Sequence, residues 1–428
     1  MDYKGKRLLI LGGITHMIDV VQAAKKMGLY TIVTDFSPNS PAKFYADKSY
    51  DVSTTDIEML VKIAKEEKID GVFSAFEDLN LWSAQILCEK LNLPYYATKE
   101  QLKNTTDKKR FKDICRKYDV PVIEEYSFND IYDESIYDNI EFPVIIKPVD
   151  SYGSRGITIC HSKNDLIEGY EKAISFSKEK RVIIERFIDN DYGVEMYYTI
   201  QEGNITLSAM ADRYVCKQSE ELPPLPIATV LPSKHIKHYC NELDNKIRDM
   251  IRGLGIKNGV ILIQSLVEED SYFVYEMAFR LSGEKHYQIV EKQTGVSLLE
   301  MMISLAIGGD TDRYDLTKYD YAYTPYPSCN LSFLLKEGII DNIIGLEVIE
   351  NMPEVLSYVL THEVGDKIEA SGSYSQMFLR INIFANTVVE LFEIIDTINK
   401  VIQVISNDGE DMILTRFDGS CSELERLR

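Results

Sequence analysis

Phe142-Pro143-Val144-Ile145-Ile146-Lys147-Pro148, followed after one valine by Asp150-Ser151-Tyr152-Gly153-Ser154-Arg155-Gly156-Ile157, is the stretch from which the rest of this chain is read. An apolar strand delivers one lysine to its end, and a Ser/Gly turn carrying an arginine comes next. Glycines at 153 and 156 permit backbone conformations and close approaches that a side chain forbids. Successive backbone N–H groups in such a turn can form an anion-binding concavity. A lysine beside an amide nest suits phosphate, so a nucleoside triphosphate is the first candidate ligand. An ordinary β-hairpin is the competing reading, because glycine turns commonly separate strands.

Upstream, strands alternate with helices. Arg7-Leu8-Leu9-Ile10-Leu11 reads as a strand ending at Gly12-Gly13, and residues 17–27 read as a helix. Thr31-Ile32-Val33-Thr34-Asp35 and Gly71-Val72-Phe73-Ser74-Ala75 read as further strands, with helices over 57–67 and 79–91. This spacing predicts βαβ units around a parallel sheet. Ligands of such sheets sit beyond the carboxyl ends of the strands, which places Gly12, Gly13, Asp35, Glu77 and Asp78 on one rim. The first turn lacks the third glycine of the dinucleotide fingerprint, which weighs against an NAD enzyme. Gly253-Leu254-Gly255 follows a helix instead of a strand, so it is read as a helix stop.

Downstream, a helix opens at Asp107-Lys108-Lys109-Arg110-Phe111, and Pro121 closes it. The lysine strand, its turn, a returning strand over 157–160, a helix over 163–178 and Arg181-Val182-Ile183-Ile184-Glu185-Arg186-Phe187-Ile188 follow. Residues 194–200 and 205–208 form a predicted hairpin through Glu202-Gly203-Asn204. A second predicted hairpin joins residues 259–267 to 272–279. Gln264 and Glu276 interrupt its apolar strands twelve residues apart, a spacing that sets them face to face if the loop is odd. One amide and one carboxylate oxygen suit Mg²⁺, which takes its other ligands from phosphate and water. A solvent-facing polar pair is the alternative, though Arg280-Leu281-Ser282-Gly283 immediately afterwards favours a site.

The last segment mixes strands and helices. Gly345-Leu346-Glu347-Val348-Ile349-Glu350 and residues 376–384 alternate in the strand manner, and 388–404 reads as a helix. No chemical constellation stands out there, so this segment is expected to be a small cap. The chain has 428 residues, enough for two to four domains. The division expected is 1–100, 101–310 with a lid at about 120–200, and 311–428. A net charge of −21 argues against broad nucleic-acid binding, and no apolar run is long enough to span a membrane. Seven scattered cysteines without a Cys-x-x-Cys spacing favour free thiols and a cytoplasmic location.

Taken in order, these features resemble the ATP-grasp superfamily, and within it the carboxylate–amine ligases and the ATP-using domains of carbamoyl-phosphate synthetase. The resemblance rests on Thr106-Asp107-Lys108, the lysine strand and its turn, residues 183–188, Gly193-Val194-Glu195, and Tyr275-Glu276-Met277-Ala278-Phe279-Arg280-Leu281-Ser282-Gly283. The implied fold is mixed α/β and α+β: an N-terminal Rossmann-like parallel sheet, a central ATP-grasp fold and a small C-terminal α+β domain. The resemblance implies that Lys108 and Lys147 contact ATP phosphates, with Ser151, Gly153, Ser154 and Gly156 closing over them. It further implies that Glu185, Arg186, Phe187 and Ile188 hold adenine and that Glu195 binds the ribose. Gln264 and Glu276 would hold Mg²⁺ or Mn²⁺. Arg280, with Lys147, would serve the transferred phosphoryl, and Glu77, Asp78, Arg213, Ser282 and Gly283 would line the acceptor pocket. His235 and His238 fall near the site and are read as surface residues.

The implied activity is ATP-dependent ligation: a small carboxylate becomes an acylphosphate, ADP leaves, and an amine-type nucleophile displaces phosphate. A homodimer is left open. Ala278 departs from the pattern, because the family usually has there an asparagine that supplies a metal ligand. Either fewer protein ligands serve, or Glu284 contributes, or the chain binds ATP without catalysis.

Overall fold

The computed structural model describes residues 3–151, 155–189, 192–219, 222–322 and 325–419. Its first segment runs β1 (Arg7–Leu11), α1 (Met17–Lys26), β2 (Tyr30–Asp35), β3 (Lys48–Asp51), α2 (Ile57–Glu67), β4 (Gly71–Phe73) and α3 (Asp78–Leu91). These strands form a parallel sheet in the order β3-β2-β1-β4. Leu8 to Leu11 are all inaccessible to solvent, as a strand covered on both faces requires. Each such side chain contributes roughly 1.5–3 kcal/mol relative to an exposed one. The edge strand β3, with sequence Lys-Ser-Tyr-Asp, was not foreseen: it is largely exposed and carries no apolar run.

Next come α4 (Lys99–Thr106) and α5 (Lys108–Lys117). Asp107 starts α5 by accepting the Arg110 amide at 2.9 Å, which sets Lys108 at the first helical position. A second sheet contains β5 (Glu125–Tyr126), β6 (Val144–Pro148), β7 (Thr158–Cys160) and, after α6 (Lys163–Phe176), β8 (Val182–Arg186). Its order is β5-β8-β6-β7, antiparallel throughout. Side chains alternate across β6. Val144 and Ile146 pack in the small core with Leu166 and Ala173 of α6, while Ile145 and Lys147 face a cavity.

The largest sheet receives β9 (Tyr192–Gln201), β10 (Asn204–Cys216) and β11 (Leu225–Leu231). After α7 (Ile236–Glu242) and α8 (Asp244–Gly253) come β12 (Gly259–Glu268), β13 (Ser271–Ala278), α9 (His286–Thr294) and α10 (Leu298–Ala306). The final segment supplies β14 (Ser328–Leu334), β15 (Gly338–Ile344), α11 (Leu346–Glu350), β16 (Val355–Leu360), β17 (Lys367–Ile368), β18 (Met377–Phe384), α12 (Val388–Val401) and β19 (Gln403–Ser406). The sheet order is β13-β12-β9-β10-β11-β14-β18-β16, so three strands from beyond residue 311 continue it. A smaller sheet, β17-β15-β19, completes this end. The fold is thus mixed α/β with a parallel N-terminal sheet and antiparallel sheets after it.

Three local expectations are corrected. Gln264 does oppose Glu276, but not through an odd loop: Glu268 pairs with Ser271, leaving a two-residue turn. The register shifts between Gln264 and Ser265, where Tyr275 is the extra residue of a bulge. Residues 345–350 form a short helix rather than a strand. Gly345 has φ +94°, and a Cβ there would meet the Val401 carbonyl oxygen at 2.2 Å, so the chain turns tightly out of β15. The helix read over 388–404 ends at Val401, and its last residues belong to β19. As expected, Gly255 (φ +68°) follows the end of α8 and turns the chain.

Gly345→Ala should destabilise the protein by about 1–3 kcal/mol through backbone strain and the Val401 clash. Urea unfolding should show a lower midpoint at an unchanged slope; an unaltered midpoint would contradict the packing described.

Candidate active site

A cavity of about 1030 Å³ opens between the parallel sheet, the β5-β8-β6-β7 sheet and the largest sheet. One wall comes from the β6–β8 sheet, with Lys147 and the segment Glu185, Arg186, Phe187 and Ile188. Lys108 and Ser151 stand at its edge, where the Lys108 ammonium donates to the Ser151 carbonyl at 2.9 Å. Gly153 and Ser154 lie outside the described residues. Gly156 adopts φ +76°, and a Cβ on it would meet Phe176 at 2.9 Å and Pro148 at 3.0 Å. Gly156 therefore packs against Pro148 and the end of α6 and does not itself line the cavity.

Lys147 is held by a buried carboxylate. Its Nζ lies 2.6 Å from Glu185 Oε2, and Lys112 Nζ lies 2.6 Å from Oε1 of the same group. Burial pushes the Glu185 carboxyl upward, but the Lys147 and Lys112 charges outweigh it and hold the group below its ordinary range. The Glu185 side chain is thus engaged by two lysines, which leaves backbone groups of this segment for a planar ligand. Lys112 was missed by the sequence analysis. Its signal was a lysine one position after Phe111 and three before Cys115, on the buried face of α5.

Gln264 and Glu276 line the opposite wall as cross-strand partners. The Gln264 Nε2 donates to Glu195 Oε1 at 2.6 Å, so its amide oxygen is the atom left for a cation. Ala278 lies two residues beyond Glu276 and offers no ligand. Two oxygen donors facing a basic wall fit a hard cation that arrives with phosphate. Glu195, by contrast, is completely buried and absent from the cavity lining. Its carboxylate takes Gln264, Tyr197 and Arg213, the last with Nε at 3.1 Å, so the ribose-binding expectation is not supported. Burial and the neighbouring Glu284 charge raise its pKa, against the opposing pull of Arg213.

The far end holds Arg280, Ser282, Gly283 and Glu284. Arg280 grips Asp78 with Nε at 2.7 Å and Nη2 at 3.1 Å. Glu77 lines the cavity beside it, its carboxyl pushed up by burial against the pull of Arg280. Arg213 reaches the same space and donates to the Tyr374 hydroxyl at 3.4 Å. Arg380 was also missed. It comes from β18, in the segment where no constellation was expected, and its Nη2 is buried without a hydrogen-bond partner, 3.7 Å from Glu284 Oε1. The signal was present: Arg380 and Asn382 share one face of an otherwise apolar strand, as Gln264 interrupts its own.

Other expectations fall away from the cavity. His235 stacks on Tyr192 and His238 meets the Tyr272 hydroxyl at 3.1 Å; both are half-buried instead of on the surface. The Gly12-Gly13 turn is closed, because a Cβ on Gly13 would meet Ser40 at 2.5 Å. Asp35 spends its carboxylate on the Gly13 and Ser37 amides, at 2.8 and 2.9 Å. The Gly13 amide is thus already satisfied within the protein, and neither glycine lines the cavity, which disfavours the dinucleotide alternative. Glu195, Glu284 and His286 bring ligating atoms within 4.8 Å of one another, but Arg213 and Arg380 already supply the positive charge at that cluster.

Lys147→Ala should weaken ATP binding by about tenfold or more, roughly 1.4 kcal/mol. Lys6→Ala, whose ammonium donates to the Ile307 carbonyl at 3.1 Å away from the cavity, should leave it unchanged. Equal losses by titration calorimetry would remove Lys147 from the site.

Residues 107–313 match the family model described as "Carbamoyl-phosphate synthase L chain, ATP binding domain", and residues 8–90 match "PylC-like, N-terminal domain". A formate-dependent phosphoribosylglycinamide formyltransferase of Methanocaldococcus jannaschii is 28% identical over 44% of this chain and 50% of its own length. The chain thus spans about half the length of the first curated relatives it matches. An N5-carboxyaminoimidazole ribonucleotide synthase of Staphylococcus aureus is 25% identical over 81% of this chain and 85% of its own. Among solved structures, the biotin carboxylase domain dimer of the Hydrogenobacter thermophilus 2-oxoglutarate carboxylase, in complex with MgADP, ADP and bicarbonate, superposes with a TM-score of 0.74. It is 16% identical and covers 95% of this chain and 91% of that one. Over residues 107–313 the chain is thus similar to the ATP-binding domain of the carbamoyl-phosphate synthase L chain, behind a stretch similar to a PylC-like N-terminal domain, and its homologues are ATP-grasp ligases.

Proposed function

We propose that this protein is an ATP-dependent ligase that activates a small carboxylate as an acylphosphate for attack by an amine-type nucleophile. The observation that carries this reading is the convergence on one cavity of Lys108 and Lys147, the Gln264–Glu276 pair, and the guanidiniums of Arg280 and Arg380. A carboxylate oxygen of the substrate attacks the γ-phosphorus of ATP, and the bond to the β-phosphate oxygen breaks to release ADP. The amine nitrogen then attacks the acyl carbon, the carbon–oxygen bond to phosphate breaks, and the nitrogen loses a proton.

Phosphoryl transfer of this kind is chiefly positioning and charge neutralisation. Lys108 and Lys147 lie where the phosphates would enter, and the backbone of residues 185–188 offers an edge for adenine. Gln264 and Glu276 would hold Mg²⁺ (or Mn²⁺), which would neutralise phosphate charge. Arg280 and the unpartnered Arg380 nitrogen would take the substrate carboxylate and the acylphosphate. Ser282 and Gly283 would bound the acceptor, with Glu77, Asp78 and Arg213 around it. The turn at 151–156 would exclude water that hydrolyses the acylphosphate. Residues 1–100, 101–310 and 311–428 would serve as N-terminal, ATP-grasp and closing units. Assembly as a homodimer is a further proposal. Among the described residues no helix is long and apolar enough to cross a membrane, and a cytoplasmic setting is the compartment proposed.

Ala278 favours one second reading, an ATP-binding protein without catalysis. Phosphate release from MgATP should be measured against single small carboxylates and amino acids, with and without amines. Release that depends on one acid, with ADP formed in equal amount, is the expected result. ATP binding without release under any acid would favour the silent binder. Glu276→Gln should lower Mg²⁺-dependent turnover by about 10²-fold or more while leaving the unfolding midpoint unchanged; unaltered turnover would place the metal elsewhere.

A further inference from the structure

The segment 280–286 carries Arg280, Ser282, Gly283 and Glu284 along the acceptor end of the cavity, and three separate holds, from four elements, fix it. Arg280 is gripped by Asp78 at the start of α3. The Glu284 carbonyl oxygen accepts from Asn330 of β14 at 2.9 Å and from Asn382 of β18 at 3.2 Å. The third hold comes from α1. Its Asp19 offers one oxygen, Oδ2, to three donors: the Lys285 ammonium at 2.9 Å, the Tyr287 hydroxyl at 2.7 Å and the Gln288 amide at 2.8 Å.

Lys285 is unusual in itself. Its backbone sits at φ 58°, ψ 30°, a left-handed conformation that costs an L side chain about 1–2 kcal/mol and that glycine would adopt freely. Its side chain is nevertheless buried, with only 5% exposed. A lysine stands where glycine is conformationally easier, and its charge is neutralised by Asp19. That arrangement fixes the residue directly after Glu284, at the position preceding the first residue of α9. Asp19 itself is absent from the cavity lining.

The geometry points to Asp19 as a positioning residue for the ligation: through Lys285, Tyr287 and Gln288 it sets the orientation of Gly283 and Glu284 at the acceptor end of the site. This inference rests on the ligase reading above. The N-terminal unit then has a part in the chemistry besides closing the cavity. Because the triphosphate wall lies on the opposite side, losing this hold should affect acceptor-dependent turnover and spare nucleotide binding.

The test uses the full chain with Asp19→Ala, Asp19→Glu and Lys285→Gly. Three quantities are read: amide hydrogen exchange over 283–288, MgADP affinity by calorimetry, and acid-dependent phosphate release. Asp19→Ala should raise exchange of these amides roughly tenfold or more while β1 and β6 keep their protection. Its kcat should fall roughly ten- to hundredfold with KM for ATP and MgADP affinity changed less than about twofold, and Asp19→Glu should restore part of kcat. Lys285→Gly, which relieves the left-handed strain but cuts the tether, should raise exchange in the same way and serves if Asp19→Ala does not fold. Unchanged exchange in a folded variant, or raised exchange with wild-type kcat, would overturn the inference. If no acid supports release in the unaltered protein, the ligase reading fails by itself, and the exchange data still decide whether Asp19 holds the segment.

Discussion

The bidentate pair between Arg280 and Asp78 is the contact on which the cavity depends. It joins the end of the β12–β13 hairpin to the first turn of α3, two elements 202 positions apart in the chain. Both side chains are largely buried, so neither charge is well solvated without the other, and removing one partner of such a pair typically costs about 3–5 kcal/mol. Asp78 also sits in the first turn of its helix, where the amide dipoles favour a negative charge. Once this pair is made, the rim of the parallel sheet faces the antiparallel one, and Glu77 and Phe76 become walls of the same space that holds Gln264 and Glu276.

The charge pattern around the cavity follows one rule. A chain of net charge −21 gathers cations here and gives four of them a carboxylate neighbour: Lys147 with Glu185, Arg213 with Glu195, Arg280 with Asp78, Arg380 with Glu284. Such pairing makes buried cations tolerable in the absence of a ligand. The pairs are unequal, however. Glu185 is wedged between two lysines at 2.6 Å, whereas Arg380 stands 3.7 Å from its partner with one nitrogen unsatisfied. An arriving anion gains most at the loosely matched guanidinium, because there it replaces a poor interaction instead of a good one.

Much of the site was legible locally. Lys147 announced itself because a strand with period-two burial cannot hide a lysine among isoleucines without a purpose on one face. Gln264 and Glu276 were legible for the same reason, but the route to their pairing was not. The two-residue turn puts Gln264 out of register with Glu276, and only the extra residue Tyr275 restores it. Lys112, Glu195 and Arg380 escaped correct placement because burial and partnership, not residue type, define what they do. Glu195 carries the right chemistry for a ribose yet is fully enclosed by Tyr197, Arg213 and Gln264.

The sequence by itself determined the alternation of strand and helix near the start, the lysine strand with its glycine turn, and the polar pair in an apolar hairpin. These are short-range properties, set by side-chain period, capping and turn stereochemistry within a few residues. Only the tertiary structure decided that β14, β18 and β16 extend the central sheet, that Arg380 enters the cavity from that extension, and that Asp19 and Asp78 hold the segment after β13. Those outcomes depend on which strand edges meet and which charges are buried together, and such contacts between residues hundreds of positions apart leave no periodicity in the chain to be read.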